Sequence, residues 1–140
     1  MEKVLSMIGL ALKAGRVEIG EEPVGAAARA KKARVILVAS DAAPASARRA
    51  ASFAQSGACI LLTVPASKES LGRALGRTSV AMAAVTDIGL AGSIVQKLAS
   101  LDPNAYGPAA EQLALKARRA QQRREEQRRH EKNARRGKKK

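Results

Sequence analysis

The sequence predicts an α/β fold, a three-layer α/β/α sandwich with a central four-stranded mixed sheet followed by a basic C-terminal tail, and three observations predict it. Helical and strand patterns alternate strictly through residues 1–102 in the order αβαβαβαβα, which places helices on both faces of a central sheet. Two strand segments are continuous apolar, β-branched runs, the composition of strands buried on both faces. The charge is uneven: residues 109–140 hold 13 of the 26 Lys and Arg but only four of the 12 acids. At 140 residues the chain makes one domain at roughly 150 residues each, with little to spare. Thirty of its apolar residues are alanines, so the core is expected to be small.

The elements follow in order. Val4, Leu5, Ile8 and Leu12 recur at helical spacing, and Gly15 stands where a C-cap glycine belongs. A secretory signal is the competing reading of this segment, but Glu2 cancels Lys3 and no small-residue cleavage pattern follows. Val17-Glu18-Ile19 is a short strand. Glu21, Glu22 and Pro23 suit the first turn of a second helix running to about Ala30. Val35 to Ala39 is the first buried strand, Pro44 to Ser56 a helix, and Cys59 to Val64 a strand repeating the buried pattern. Ser67 caps a helix through Leu75, Val80 to Val85 is the fourth strand, and Asp87 caps a last helix with Leu90, Ile94 and Leu98 on its apolar face. Two prolines and a glycine in residues 103–108 predict a hinge. The expected organisation is therefore a domain over 1–102, a hinge over 103–108, and a tail over 109–140, partly helical or disordered.

Composition narrows the function. The net charge of +14 and a pI near 10.9 point to a polyanionic partner, since a pI above ~9 marks nucleic-acid-binding domains. Phe53 and Tyr106 are the only aromatics, which disfavours single-strand readers that stack bases on aromatic platforms. The lone Cys59 forms no internal disulfide and no multi-cysteine zinc site, in keeping with a reducing cytoplasm. No apolar stretch reaches the ~18 residues of a membrane span. Gly72 to Gly76 lacks the Gly-Lys-Ser/Thr of a nucleotide-gripping loop. Cys59 has no basic neighbour in sequence, and His130 has no triad partner. No enzyme constellation, metal site or cofactor site is expected.

Four stretches occur in a telling order: Gly20-Glu21-Glu22 opening the second helix; Lys32 through Asp41 with Pro44 three residues on; Val64 through Gly72; and Gly76 leading to the fourth strand. With them, residues 4 to about 100 resemble the ribosomal-protein superfamily named after archaeal L seven Ae and eukaryotic L thirty e, particularly its bacterial YlxQ-like branch. The resemblance implies an α/β/α sandwich that binds structured RNA, in many members a kink-turn with sheared G·A pairs. It also implies the edge used: the N-terminus of the second helix, the loop after the second strand, and the loop before the fourth. A helix N-terminus offers free N–H groups to phosphate, and shape is read along with sequence. Position by position, the family's Asn falls on Glu22, its next Glu on Pro23, and a basic residue on Ala26; Ala43 precedes Pro44.

The candidate RNA-binding residues are Gly20, Glu21 and Glu22, which alternatively form a well-capped helix start; Arg29, Lys31, Lys32 and Arg34, alternatively a solvated helix end; and Lys68, Arg73, Arg77, Thr78 and Ser79. In the tail, Arg118, Arg119, Arg123, Arg124, Arg128, Arg129, Arg135 and Arg136 are candidate phosphate contacts of an arm that orders on binding, with a solubilising tail as the alternative. The expectation is a non-enzymatic, cytoplasmic, monomeric RNA-binding protein, ribosome-associated by resemblance, without cofactor or membrane partner. Two other readings are a sequence-indifferent nucleic-acid condenser driven by the tail, and a protein-interaction module on the same fold.

Overall fold

The computed structural model describes residues 1–138, with side chains through Arg135. Its elements are α1 (Glu2–Lys13), β1 (Val17–Ile19), α2 (Glu21–Arg29), β2 (Val35–Val38), α3 (Pro44–Gly57), β3 (Ile60–Thr63), α4 (Lys68–Ala74), β4 (Met82–Val85), α5 (Ile88–Leu101) and α6 (Pro103–Lys138). Local chemistry sets several of the boundaries. Gly15 follows α1 with a φ of +73°, a left-handed conformation that carries no Cβ penalty in glycine. Ser67 Oγ accepts the Ser70 N–H at 3.1 Å, and Asp87 Oδ2 accepts the Leu90 N–H at 2.9 Å, so both capping residues satisfy a helix donor that would otherwise lack a partner.

The sheet order is β1-β4-β2-β3. β4 pairs antiparallel with β1 and β2, and β2 pairs parallel with β3, so the sheet is mixed. Both central strands are wholly buried, and their alternating side chains feed two cores. Val35, Leu37, Ala83 and Val85 join the larger core under α1, α4, α5 and α6. Ile36, Val38, Met82 and Ala84 join the smaller one under α2 and α3. This is the α/β/α sandwich. β3 departs from the expected doubly buried strand: it is an edge strand, half-buried through Ile60–Leu62 and exposed at Thr63. Its run is nonetheless apolar because Ile60 and Leu62 pack on one core and Leu61 on the other. β4 starts at Met82 rather than Val80.

The expected hinge is helical. Asp102 alone breaks the chain between α5 and α6, and its Oδ1 accepts the Ala105 N–H at 3.2 Å while its carbonyl accepts the Tyr106 N–H at 3.1 Å. Pro103 is then the first helical residue, where a missing N–H costs nothing. Of the prolines that predicted a hinge, Pro103 therefore opens a helix, and Pro108 lies inside it without ending it. The tail, expected as partly helical or disordered, is α6 throughout its described length; Lys139 and Lys140 lie outside the described residues. Tyr106, Ala109, Ala110 and Leu113 of α6 are buried in the larger core, so the helix is anchored before it becomes wholly charged.

Tyr106 ties α6 to the sheet by donating its hydroxyl to the Thr63 carbonyl at 2.6 Å. Burial, and secondarily the Asp102 carboxylate, pushes its phenol above the ordinary value. A raised folded-state value means that this contribution is complete below the phenol's pKa in the unfolded chain and is lost as pH rises through the folded-state value. Unfolding free energy is expected to fall above pH ~10. Tyr106→Phe should flatten that fall when urea unfolding is followed against pH.

Candidate nucleic-acid interface

One end of the sheet gathers three segments that are distant in sequence. Gly20, the N-cap of α2 with a φ of +93°, donates its N–H to the Met82 carbonyl at 3.1 Å, beside the start of β4. The chain leaving β2 is fixed to both neighbours: Ala39 N–H reaches the Ala81 carbonyl at 2.9 Å, and Ser40 N–H the Ala66 carbonyl at 2.9 Å. The Asp41 carboxylate accepts the Lys68 N–H at 2.7 Å, and the Lys68 carbonyl accepts the Val80 N–H at 3.0 Å. The α2 N-terminus, the loop after β2 and the loop before β4 therefore share one edge.

Residues Arg77 to Ser79 run close against α4. Arg77 N–H donates to the Gly72 carbonyl at 2.7 Å. A Cβ on Gly72 would lie 2.7 Å from the Arg77 carbonyl oxygen and 2.8 Å from Ser79 N. Only glycine allows this approach. Arg77, Thr78 and Ser79 are all exposed, so their side chains are presented rather than packed.

The edge is close to electrically neutral. Glu21 accepts a charge-assisted hydrogen bond from Arg49 Nη1 at 2.6 Å, an ion pair between α2 and α3. Arg73 pairs with Glu69 at 3.1 Å along α4. Both pairs are solvent-accessible and are worth only about 0–1 kcal/mol. Glu22 is exposed and makes no ion pair among the described residues. Of the carboxylates opening α2, Glu22 is thus the one free to accept from a ligand.

The other body candidates lie elsewhere. Arg34 N–H bonds the Val85 carbonyl at 2.8 Å, and Arg29, Lys31 and Lys32 sit at or just beyond the C-terminus of α2. They occupy the opposite end of the sheet from Gly20, Glu21, Glu22, Lys68, Arg77, Thr78 and Ser79. Lys31 has a φ of +60°, and its Nζ donates to the Ser56 carbonyl near the end of α3 at 2.6 Å. Arg118, Arg119, Arg123, Arg124, Arg128, Arg129 and Arg135 are exposed along α6, while the side chain of Arg136 lies outside the described residues.

Sequence reasoning missed Asp41, which ties the β2 loop to α4, and Arg49, which neutralises Glu21. The pair Arg48-Arg49 one turn after Pro44 was the available signal for the second. Cys59 is half-buried, and burial pushes its thiol up despite the opposing pull of Lys116 and Lys31. That is the opposite of an activated nucleophile. Among the described residues no group of three or more His, Cys, Asp or Glu is placed to hold a metal, and no helix is long and apolar enough to cross a membrane.

A four-stranded mixed sheet between two helical layers, with three loops gathered at one end, defines a small α/β/α scaffold. The chain belongs to the ribosomal protein L7Ae/L30e/S12e/Gadd45 family, whose pattern it matches over residues 2–94. Among solved structures it is similar to a protein of unknown function from Bacillus halodurans C, at 26% identity and a TM-score of 0.62, covering 67% of this chain and 94% of that one. It also shares its fold with a Giardia lamblia 15.5kD RNA binding protein, at 18% identity and a TM-score of 0.57, covering 69% and 85%. The search of curated proteins finds no match.

Proposed function

We propose that this chain is a non-enzymatic, cytoplasmic RNA-binding protein that recognises structured RNA, kink-turn-like or ribosomal, and acts in association with the ribosome. In this reading the edge formed by Gly20–Glu22, the loop after β2 and Arg77–Ser79 meets the folded RNA, and the cations of α6 add phosphate contacts. The supporting observation is the convergence of those three loops through the Gly20–Met82, Ala39–Ala81 and Lys68–Val80 backbone bonds. Family membership supports the same reading. Exposed Glu22 carries specificity by accepting N–H donors from a guanine edge, and Arg77, Thr78 and Ser79 position the backbone, since phosphate contacts orient a ligand without reading its bases. The protein acts as a monomer, with residues 1–102 recognising RNA and the basic residues after 108 adding affinity.

The test compares a kink-turned RNA with a straightened duplex of the same composition, using the wild-type chain and Glu22→Ala. The wild type is expected to prefer the kink-turn at least tenfold. One well-made hydrogen-bonded pair with a base is worth about 1–3 kcal/mol, so Glu22→Ala should lower affinity for the kink-turn roughly five- to 150-fold. Affinity for the straight duplex and the melting temperature should stay nearly constant. Equal binding of both RNAs by the wild type would leave a charge-driven condenser as the better description.

A further inference from the structure

The strongest unassigned feature is the electrostatic contrast between the two ends of the sheet. At the edge already described, Arg48, Arg49, Lys68 and Arg77 are nearly matched by Glu21, Glu22 and Asp41, while Arg73, which lines a groove between α1 and α4 with Lys13, is paired with Glu69. The opposite end carries Lys13 at the close of α1, Arg16 before β1, Arg29, Lys31, Lys32 and Arg34 between α2 and β2, and Lys116 on α6. All seven are exposed. Against them stand Glu18 on β1 and Asp87, whose carboxylate is committed to capping α5.

Backbone bonds fix this clustering. Arg16 offers its carbonyl to Thr86 N–H at 2.9 Å, and Arg34 N–H bonds Val85 at 2.8 Å, which brings the starts of β1 and β2 to the end of β4. Lys31 Nζ donates to the Ser56 carbonyl at 2.6 Å, which holds the α2–β2 loop against the end of α3. α6 turns back at Asp102 and packs along α5, with Ala110, Ala114 and Ala117 lining one groove with Gly92, Gly89 and Ile88, so it returns to the end where α5 begins and leaves the body there. From Lys116 to Arg135 it extends about 30 Å further at 1.5 Å per residue. At about 100° per residue, Arg118, Arg119, Arg123, Arg124 and Arg128 point to all sides of the helix. Cations on every side of one helix, with no Phe, Tyr or Trp among residues 116–135 to stack single-stranded bases, suit the phosphates of a duplex.

From this we infer that the chain has a second RNA-binding surface at the end of the sheet opposite the family edge, where Lys13, Arg16, Arg29, Lys32, Arg34 and Lys116 continue into α6 and hold the phosphates of a double-helical RNA segment. The choice of RNA as the polyanion rests on the proposed function. Recognition and phosphate affinity then sit on different faces, and one protein holds a folded element at one end and a flanking helix at the other. Like charges so concentrated repel one another and focus a positive potential outward, which bound phosphates neutralise.

The experiment uses the full chain and a 20-bp RNA duplex without internal loops, with affinity measured across a salt series. Lys13→Gln, Arg16→Gln and Lys116→Gln are introduced together, since none of the three belongs to the edge, and a melting curve checks the fold. Duplex affinity is expected to fall at least tenfold near 0.1 M salt. The slope of log K against log salt should become shallower by about 2–3, close to 0.9 for each phosphate no longer neutralised. Crosslinks from the unaltered protein to the duplex should fall in residues 13–16, 29–34 and 116–135. An unchanged slope, or crosslinks confined to residues 20–22 and 77–79, would overturn the second surface. Displacement of the duplex by polyglutamate at equal charge concentration would overturn its assignment to RNA. The kink-turn preference tests the edge separately: its loss with the salt slope intact would remove the proposed recognition and leave this surface standing.

Discussion

Leu113→Ala is expected to destabilise the protein by about 2–5 kcal/mol, the cost of a large-to-small change in a packed core. Leu113 is fully buried although it lies within the basic C-terminal segment. Its side chain belongs to the larger core together with Tyr106, Ala109 and Ala110 of the same helix and Ile94 and Leu98 of α5. Leu115, two residues on, is 42% exposed, and Leu115→Ala should change stability by no more than about 0.5 kcal/mol, as surface substitutions do. Urea unfolding of the two variants separates a structural α6 base from a loosely attached arm. The same geometry governs truncation: a chain ending at Pro108 loses Leu113 and should be markedly unstable, whereas one ending at Ala120 retains Tyr106, Ala109, Ala110 and Leu113, the buried residues of α6 among the described residues.

Gly72→Ala is the second large effect. The new Cβ would meet three backbone atoms, of Arg77, Thr78 and Ser79, at 2.7–2.8 Å. Backbone does not yield as a flexible side chain does, so the loop must move away from α4. Overpacking of this kind costs about 1–3 kcal/mol. Because the displaced residues are the exposed Arg77, Thr78 and Ser79, affinity for folded RNA should fall along with the melting temperature. Gly92→Ala in α5 meets nothing within 4 Å and should stabilise by about 0.5–1 kcal/mol through helix propensity. Thermal melts of both variants check the contrast. Destabilisation by both would implicate glycine flexibility rather than close approach.

Much of this fold was legible because local chemistry and tertiary position agreed. The runs at Val35–Val38 and Met82–Val85 are apolar at consecutive positions because each successive side chain enters a different core. Ser67 and Asp87 read as caps and act as caps. β3 misled because an edge strand between two helical layers has the same composition as a central one. Pro103 misled because a proline at a helix start has the same sequence signature as a break, and the Asp102 cap separates the two. Pro108 misled because it lies inside α6, where burial of Tyr106, Ala109, Ala110 and Leu113 on either side outweighs the helix bond it removes.

The interface was legible in segments and not in assembly. Gly20 to Glu22 and Arg77 to Ser79 stand out on the residues that carry the family resemblance, and the strand order brings them to one edge. The basic run from Arg29 to Arg34 groups with them in sequence, since charge in a sequence carries no direction in space. Only the pairing of Arg34 with Val85 shows that it lies across the sheet. Arg16 and Lys116 give no signal for the same reason: they lie 100 residues apart in the chain, and the fold is needed to bring them together.

The central claim, that the body of the protein reads folded RNA, is tested most directly by measuring affinity for a kink-turned RNA and its straightened counterpart across a salt series, with the full chain and a chain ending at Ala120. The account predicts that removing residues 121–140 lowers affinity for both RNAs and reduces the salt slope while the preference for the kink-turn remains. Loss of that preference with the C-terminal cations, in a protein that still melts cooperatively, would contradict it.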